Sequence, residues 1–275
     1  MQGASRTALA AARERLTALA GGLPDAEIPA GVGGIADGLL AVVRLLDREG
    51  SLRRTLGDPT RPPEAKQQLL ESLLGRQLHP LAMTVLKEAV GQRWSSARDL
   101  VDGIEVLGVT AVFLVAEADR TLDDVEDELF RFARTVARAP ELRSVLTDRA
   151  LDVERKRALL GGLLADKVRP ATLQIVDTLV LTPRGRTLED GLEDFARLAA
   201  DVRSRTLATV TTAVPLDDVQ QQRLAASLTR QLGREVQLQV EVDPDVVGGV
   251  VVNVGDEVID GSTRHRLAEA RRRVS

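Results

Sequence analysis

The sequence predicts a mostly helical α+β protein, in which a duplicated helical bundle region is followed by a small C-terminal domain of strands and helices. Three observations lead there. Apolar residues fall at spacings of three and four through the first two hundred positions, as one face of a helix requires. A block of sequence returns after 90 residues. Near residue 206 the period shortens to two, the spacing of a strand with one buried face.

In chain order, Leu9, Ala12, Leu16 and Leu19 share a face and predict a helix over 5–20, with Ser5 available as its cap. Residues 21–34, with two prolines and five glycines, predict a loop. A second helix is expected over 35–56 on the stripe Leu39, Val42, Val43 and Leu46, ended by Pro59, Pro62 and Pro63. Two short helices, 64–74 and 81–90, are separated at His79-Pro80.

The repeat then sets 51–80 against 141–170, with 11 of 30 positions identical. Leu52, Arg53, Leu56, Asp58, Glu64, Lys66, Leu69, Leu70, Leu73, Leu74 and Pro80 return as Leu142, Arg143, Leu146, Asp148, Glu154, Lys156, Leu159, Leu160, Leu163, Leu164 and Pro170. Chance pairing gives far fewer, so a duplicated helical unit is expected, with a first copy over 1–103 and a second over 104–186. The second copy contains the best-marked helix, 122–137: Thr121 and Asp124 suggest a capping box, acids fill the first turn and arginines the last. A connecting helix over 187–205 starts at Thr187 and carries Leu192, Phe195, Ala199 and Val202 on one side.

The remaining span, 206–275, reads as strand, helix, strand, hairpin and terminal helix. Val210, Thr212 and Val214 alternate, as do Val236, Leu238, Val240 and Val242, and Asp217 to Leu232 between them is helical up to Gly233. Gly248-Gly249 opens the β-branched run Val250-Val251-Val252, Gly255-Asp256 marks a tight turn, and Glu257, Val258 and Ile259 resume the strand. Asp260-Gly261-Ser262 stops it and caps a final helix bearing Leu267 and Ala270.

Composition narrows the chemistry. A net charge of -4 argues against general binding to nucleic acid, and 2% aromatic residues disfavour a stacking platform for single strands. The absence of cysteine excludes thiol chemistry and disulfides. The longest apolar-leaning run, 106–116, is short for a bilayer span, so membrane contact is expected only through partners. The spacing Gly31, Gly33, Ala36 imitates a dinucleotide fingerprint, but no strand precedes it, so a plain loop is expected rather than an oxidoreductase site. His79 and His265 stand far apart and do not suit zinc; His79 is expected at a helix junction. Asp123, Asp124, Glu126, Asp127 and Glu128 read as a solvated helical face rather than a cation loop. Arg264, Arg266, Arg271, Arg272 and Arg273 give a basic C-terminus, suited either to a helix end or to contact with an acidic partner segment. No catalytic, cofactor or metal residues are expected.

The ordered set Asp243-Pro244, Gly248-Gly249, Gly255-Asp256, Val258, Asp260, Ser262, Arg266 and Leu267 resembles the C-terminal signature of the delta subunit of F-type ATP synthases, the family of the mitochondrial oligomycin-sensitivity-conferring protein. Pro140-Glu141-Leu142, Lys156 with Leu159-Leu160, Arg184-Gly185-Arg186 and Ala213-Val214-Pro215-Leu216 also look like family elements, so the resemblance covers about 105–275. Arg184 stands where the family often has asparagine, and the first helical copy is extra, making this a long form. The resemblance implies a non-catalytic stator subunit, peripheral on the cytoplasmic face of the cell membrane. Its helical region would bind the N-terminal segments of alpha subunits, and its C-terminal domain the end of the b subunit. The alternative is a soluble helical-repeat adaptor sharing only the C-terminal module.

Overall fold

One helix, α6 (Ala97–Ala118), organises the helical part of the chain. Residues 107–113 of α6 are all buried, on every side of the helix, which a helix with a single partner never shows. The partners stand on both sides in sequence. Before it come α1 (Gly3–Gly21), α2 (Ile28–Arg48), α3 (Gly50–Gly57), α4 (Pro63–Leu74) and α5 (Pro80–Gly91). After it come α7 (Leu122–Arg138), α8 (Pro140–Thr147), α9 (Val153–Leu164), α10 (Pro170–Leu181) and α11 (Leu188–Thr206). Helix α6 packs on α1, α2, α3 and α5 and also on α7 and α10. The computed structural model describes residues 3–148, 150–232, 237–243, 249–254 and 257–260.

The 90-residue offset holds in three dimensions. Helices α3, α4 and α5 begin and end 90 residues before α8, α9 and α10. The same shift carries α1 onto α6 and α6 onto α11. The copies therefore overlap, because α6 is both the sixth helix of the first and the opening helix of the second. The expected division at 103/104 consequently falls inside one continuous helix. The shared role explains the burial: α6 is buried on every side over 107–113, whereas α11, among its described side chains, buries Leu188, Gly191, Leu192, Phe195, Ala199 and Val202 on one face and turns Glu189, Asp190, Glu193, Asp194 and Arg197 to solvent. A polar outer face suits the last helix of a repeat array.

Several local expectations change. Residues 28–34 are helical, not loop: after a 3-10 turn at Asp25–Glu27, α2 begins at Ile28 with Pro29 in its first turn. Gly34 and Gly38 are there for proximity. A Cβ at Gly34 would lie 2.7 Å from the His79 ring, and one at Gly38 2.7 Å from the Ala82 Cβ. By length and hydropathy α2 is also the one helix among the described residues that could pass for a membrane span, although half of its apolar window is buried in the fold, where it packs on α6. The helix expected over 35–56 is two, broken at Glu49. Ser5 is no cap; it lies inside α1, fully buried, donates to Asp99 Oδ2 at 2.6 Å and accepts the Ser95 amide at 2.9 Å. Thr121 makes no side-chain cap, and its hydroxyl instead donates to the Ala116 carbonyl. Prolines 63, 80, 140 and 170 stand at helix starts, where a missing amide costs nothing.

A second compact unit starts at Ala200, within α11. In it β1 (Leu207–Thr212), β2 (Gln237–Val242), β3 (Val250–Val254) and β4 (Glu257–Asp260) form a four-stranded sheet in the order β2-β1-β3-β4. Strands β1 and β2 are parallel, linked through α12 (Asp218–Leu232), and the other pairings are antiparallel. Asp217 and Gln220 form a reciprocal capping box: the Gln220 amide donates to Asp217 Oδ1 at 2.7 Å and the Asp217 amide to Gln220 Oε1 at 3.0 Å. Val210, Leu228 and Val252 are the buried centre, with Leu216, Leu224, Leu238, Val240 and Val250 packed around them.

Candidate functional site

Outside the apolar core, three polar junctions fix the helical unit. The first joins the opening turns of α7 to the start of α10. Asp124 Oδ2 accepts from Arg169 Nε at 3.0 Å, while Glu128 Oε2 accepts the Arg169 amide at 2.8 Å and the Thr172 hydroxyl at 2.6 Å. Two of the acids expected on a solvated face, Asp124 and Glu128, thus clip two helices together. The second junction joins the copies. Gln174 on α10 donates to Asp37 on α2 at 2.8 Å. Close by, Asp177 is pushed up by burial, with Arg157 and Arg44 pulling it back.

The third junction lies where the Arg184-Gly185-Arg186 turn meets α6. Glu105 is 1% exposed. Its Oε1 accepts from Arg186 Nη2 at 2.8 Å, and its Oε2 takes Arg184 Nη2. Arg184 Nη1 also lies 2.9 Å from Asp102 Oδ1, and the Arg186 guanidinium sits 4.9 Å above the Phe195 ring of α11. Two arginines thus face two carboxylates, with Arg184 and Glu105 buried, where unpaired charge is costly, and with Arg186 and Asp102 part-exposed at the rim. The turn is bent to suit: Arg184 has φ +48° and Gly185 φ +85°, both in the left-handed region. Asparagine tolerates that region better than arginine, so Arg184 gives up backbone comfort for an ion pair. Sequence reading picked out this turn and missed Glu105. The available signal was a carboxylate inside an apolar run.

Burial raises the Glu105 carboxyl above its ordinary value, with Arg184 and Arg186 opposing. A raised acid holds its proton better folded than unfolded. Its contribution to stability is therefore full below the unfolded value, about 4.3, and is lost as pH rises through the folded one. We expect the urea midpoint of E105Q, taken relative to the parent, to improve as pH rises from 4.5 to 8. The change should be at most about 1.4 kcal/mol per pH unit inside the titration window. A difference independent of pH would contradict the assignment.

Lys66 and Lys156 repeat the duplication in their electrostatics. Both are buried in matching helices, and both are lowered by burial against the pull of Asp58 and Asp148 respectively. His79 stands where expected, accepting the Leu81 amide on Nδ1 at 3.3 Å at the start of α5. In the C-terminal signature, Gly249 takes φ +81°, the Asp243 amide donates to the Thr212 carbonyl at 2.8 Å, and Asp260 ends β4. The other signature positions, Pro244, Gly248, Gly255, Asp256, Ser262 and Leu267, lie outside the described residues, as do Arg264, Arg266, Arg271, Arg272 and Arg273.

What these parts define is a scaffold: overlapping helical repeats clipped by ion pairs, and a small α/β unit entered through α11. The sequence profile of the ATP synthase delta (OSCP) subunit matches residues 109–274, which span part of α6, the second copy and the α/β unit. ATP synthase subunit delta of Streptomyces coelicolor is 49% identical over 275 residues, covering 100% of this chain and 98% of its own length. That of Streptomyces avermitilis is 50% identical over 273 residues, with 99% and 98% covered. That of Acidothermus cellulolyticus is 49% identical over 276 residues, with both chains covered in full. This chain belongs to the ATP synthase delta (OSCP) subunit family. Because the likeness runs through the first helical copy as well, it is not confined to the C-terminal module, as the adaptor alternative required.

Proposed function

We propose that this chain is the delta subunit of a proton-translocating F-type ATP synthase, non-catalytic in itself. It forms part of the peripheral stalk that links the catalytic head to the membrane sector and resists rotor torque. The observation that carries the reading is the full-length match to proteins named ATP synthase subunit delta. The architecture supports it: a helix held from both sides resists bending, and interior packing at crystal-like density transmits strain rather than absorbing it.

In this reading the helical copies, 1–103 and 104–186 with α6 common to both, hold the N-terminal segments of alpha subunits. An amphipathic segment laid in a helical groove buries apolar area without reactive chemistry. The 187–205 helix carries the chain into the 206–275 domain, which binds the end of the b subunit. Two attachments on one chain raise each other's effective concentration, which suits a tether under load. The complex places the chain on the cytoplasmic face of the membrane, peripheral and without direct lipid contact.

Membranes from cells depleted of this chain should lose ATP-driven proton pumping, while hydrolytic activity appears in the soluble fraction. Alpha and b subunits should co-purify with the tagged chain. Normal coupled pumping in the depleted membranes would overturn the stator reading, and turnover of a substrate by the pure chain would overturn its non-catalytic part.

A further inference from the structure

The duplication supplies an internal control for the third junction. The 90-residue shift sets Trp94 against Arg184 and Ser96 against Arg186, so the α5–α6 and α10–α11 junctions are one junction built twice. In the first copy it is apolar and satisfied. Trp94 is buried, its Nε1 donates to the Ala89 carbonyl at 2.7 Å, and its ring fills the space where a Gly103 side chain would stand, 2.2 Å from a Cβ built there. Ser96 caps α6 by accepting the Asp99 amide at 3.0 Å.

In the second copy the same place holds two guanidiniums on one buried carboxylate. Arg184 Nε and Arg186 Nε are buried without hydrogen-bond partners, and Arg184 Nη1 has only its ion pair with Asp102. Arg184 also sits in the left-handed region, a conformation that disfavours any side chain with a Cβ. The closed arrangement therefore balances a strong grip on Glu105 against unmet donors and a disfavoured backbone, which is how a two-state element is built. The first junction carries no such opposing terms.

We propose that the Arg184-Gly185-Arg186 turn is a reversible latch, closed on Glu105 and Asp102, whose opening removes the Arg186 bridge between Glu105 of α6 and Phe195 of α11 while the first copy stays locked. The latch controls the one helix that continues past Ala199 into the second unit. It therefore sets how stiffly that helix is anchored, and it does so without any change in the core of the first copy.

Native-state hydrogen exchange on the full chain in low urea tests this. Amides of 191–198 should exchange at least tenfold faster than the matched amides of 101–108, through an opening whose rate responds weakly to urea, as sub-global openings do. The double variant R184G/R186Q should speed 191–198 by a further tenfold. It should leave the amides of α1 and α5 and the emission of Trp94, the single tryptophan, unchanged. Equal protection of the two segments in the parent protein would overturn the latch, as would a variant effect spread evenly over α2 to α6. The parent comparison decides the matter even if the variant does not fold.

Discussion

Phe113→Ala should lower the stability of the helical unit by about 3–5 kcal/mol, the range for emptying a fully buried phenylalanine site. The informative part is where the loss is felt. Phe113 lies in the stretch of α6 that is buried on every side, and α6 packs on helices from both copies. A cavity there cannot be absorbed by shifting α6 toward one partner without parting it from another. The copies should therefore soften together, in one transition followed both by Trp94 emission from the first copy and by exchange of α10 amides in the second. Independent copies would behave otherwise: α10 would keep its protection while Trp94 reported melting, and α6 would not be a common element.

The duplication was legible because it is carried by identities, such as Lys66/Lys156 and Leu70/Leu160, that occupy equal places in equal helices. The overlap was not. Helix α1 and helix α6 share a role under the 90-residue shift but few residues, since α1 buries mainly alanines along one face whereas α6 must satisfy neighbours on all sides. Gly31 and Gly34 misled for a related reason. Glycine disfavours an isolated helix, but its absent side chain admits Leu23 and His79 against α2, and tertiary packing outweighs a propensity of about 1 kcal/mol per residue. The Thr121 box failed because its hydroxyl had a nearer acceptor in the Ala116 carbonyl, at the end of α6. Glu105 escaped notice because its partners stand 79 and 81 residues away, at Arg184 and Arg186, and no local pattern joins them. In the C-terminal unit the strands followed from their period, which depends only on near neighbours in sequence.

Leu228→Ala should unfold the C-terminal unit at temperatures where the helical unit stays folded. The core cluster of the unit that starts at Ala200 has three buried apolar residues among those described, Val210, Leu228 and Val252. At about 0.05–0.15 kcal/mol per residue, a unit of this size has roughly 4–11 kcal/mol of stability in all. Truncating its central leucine removes about 2–5 kcal/mol of that, and few surrounding side chains can collapse into the gap. The helical unit has a separate core, so the loss should not spread. A thermal melt of the variant should separate into two steps, with β-sheet signals lost early and Trp94 emission changing only at the parent temperature. If the proposed division of labour holds, the variant should still bind a peptide with the N-terminal sequence of the alpha subunit, but should no longer capture the b subunit. A single shared transition, moved down equally for both signals, would mean that the units fold as one, and the separate attachment of head and stalk would lose its physical basis.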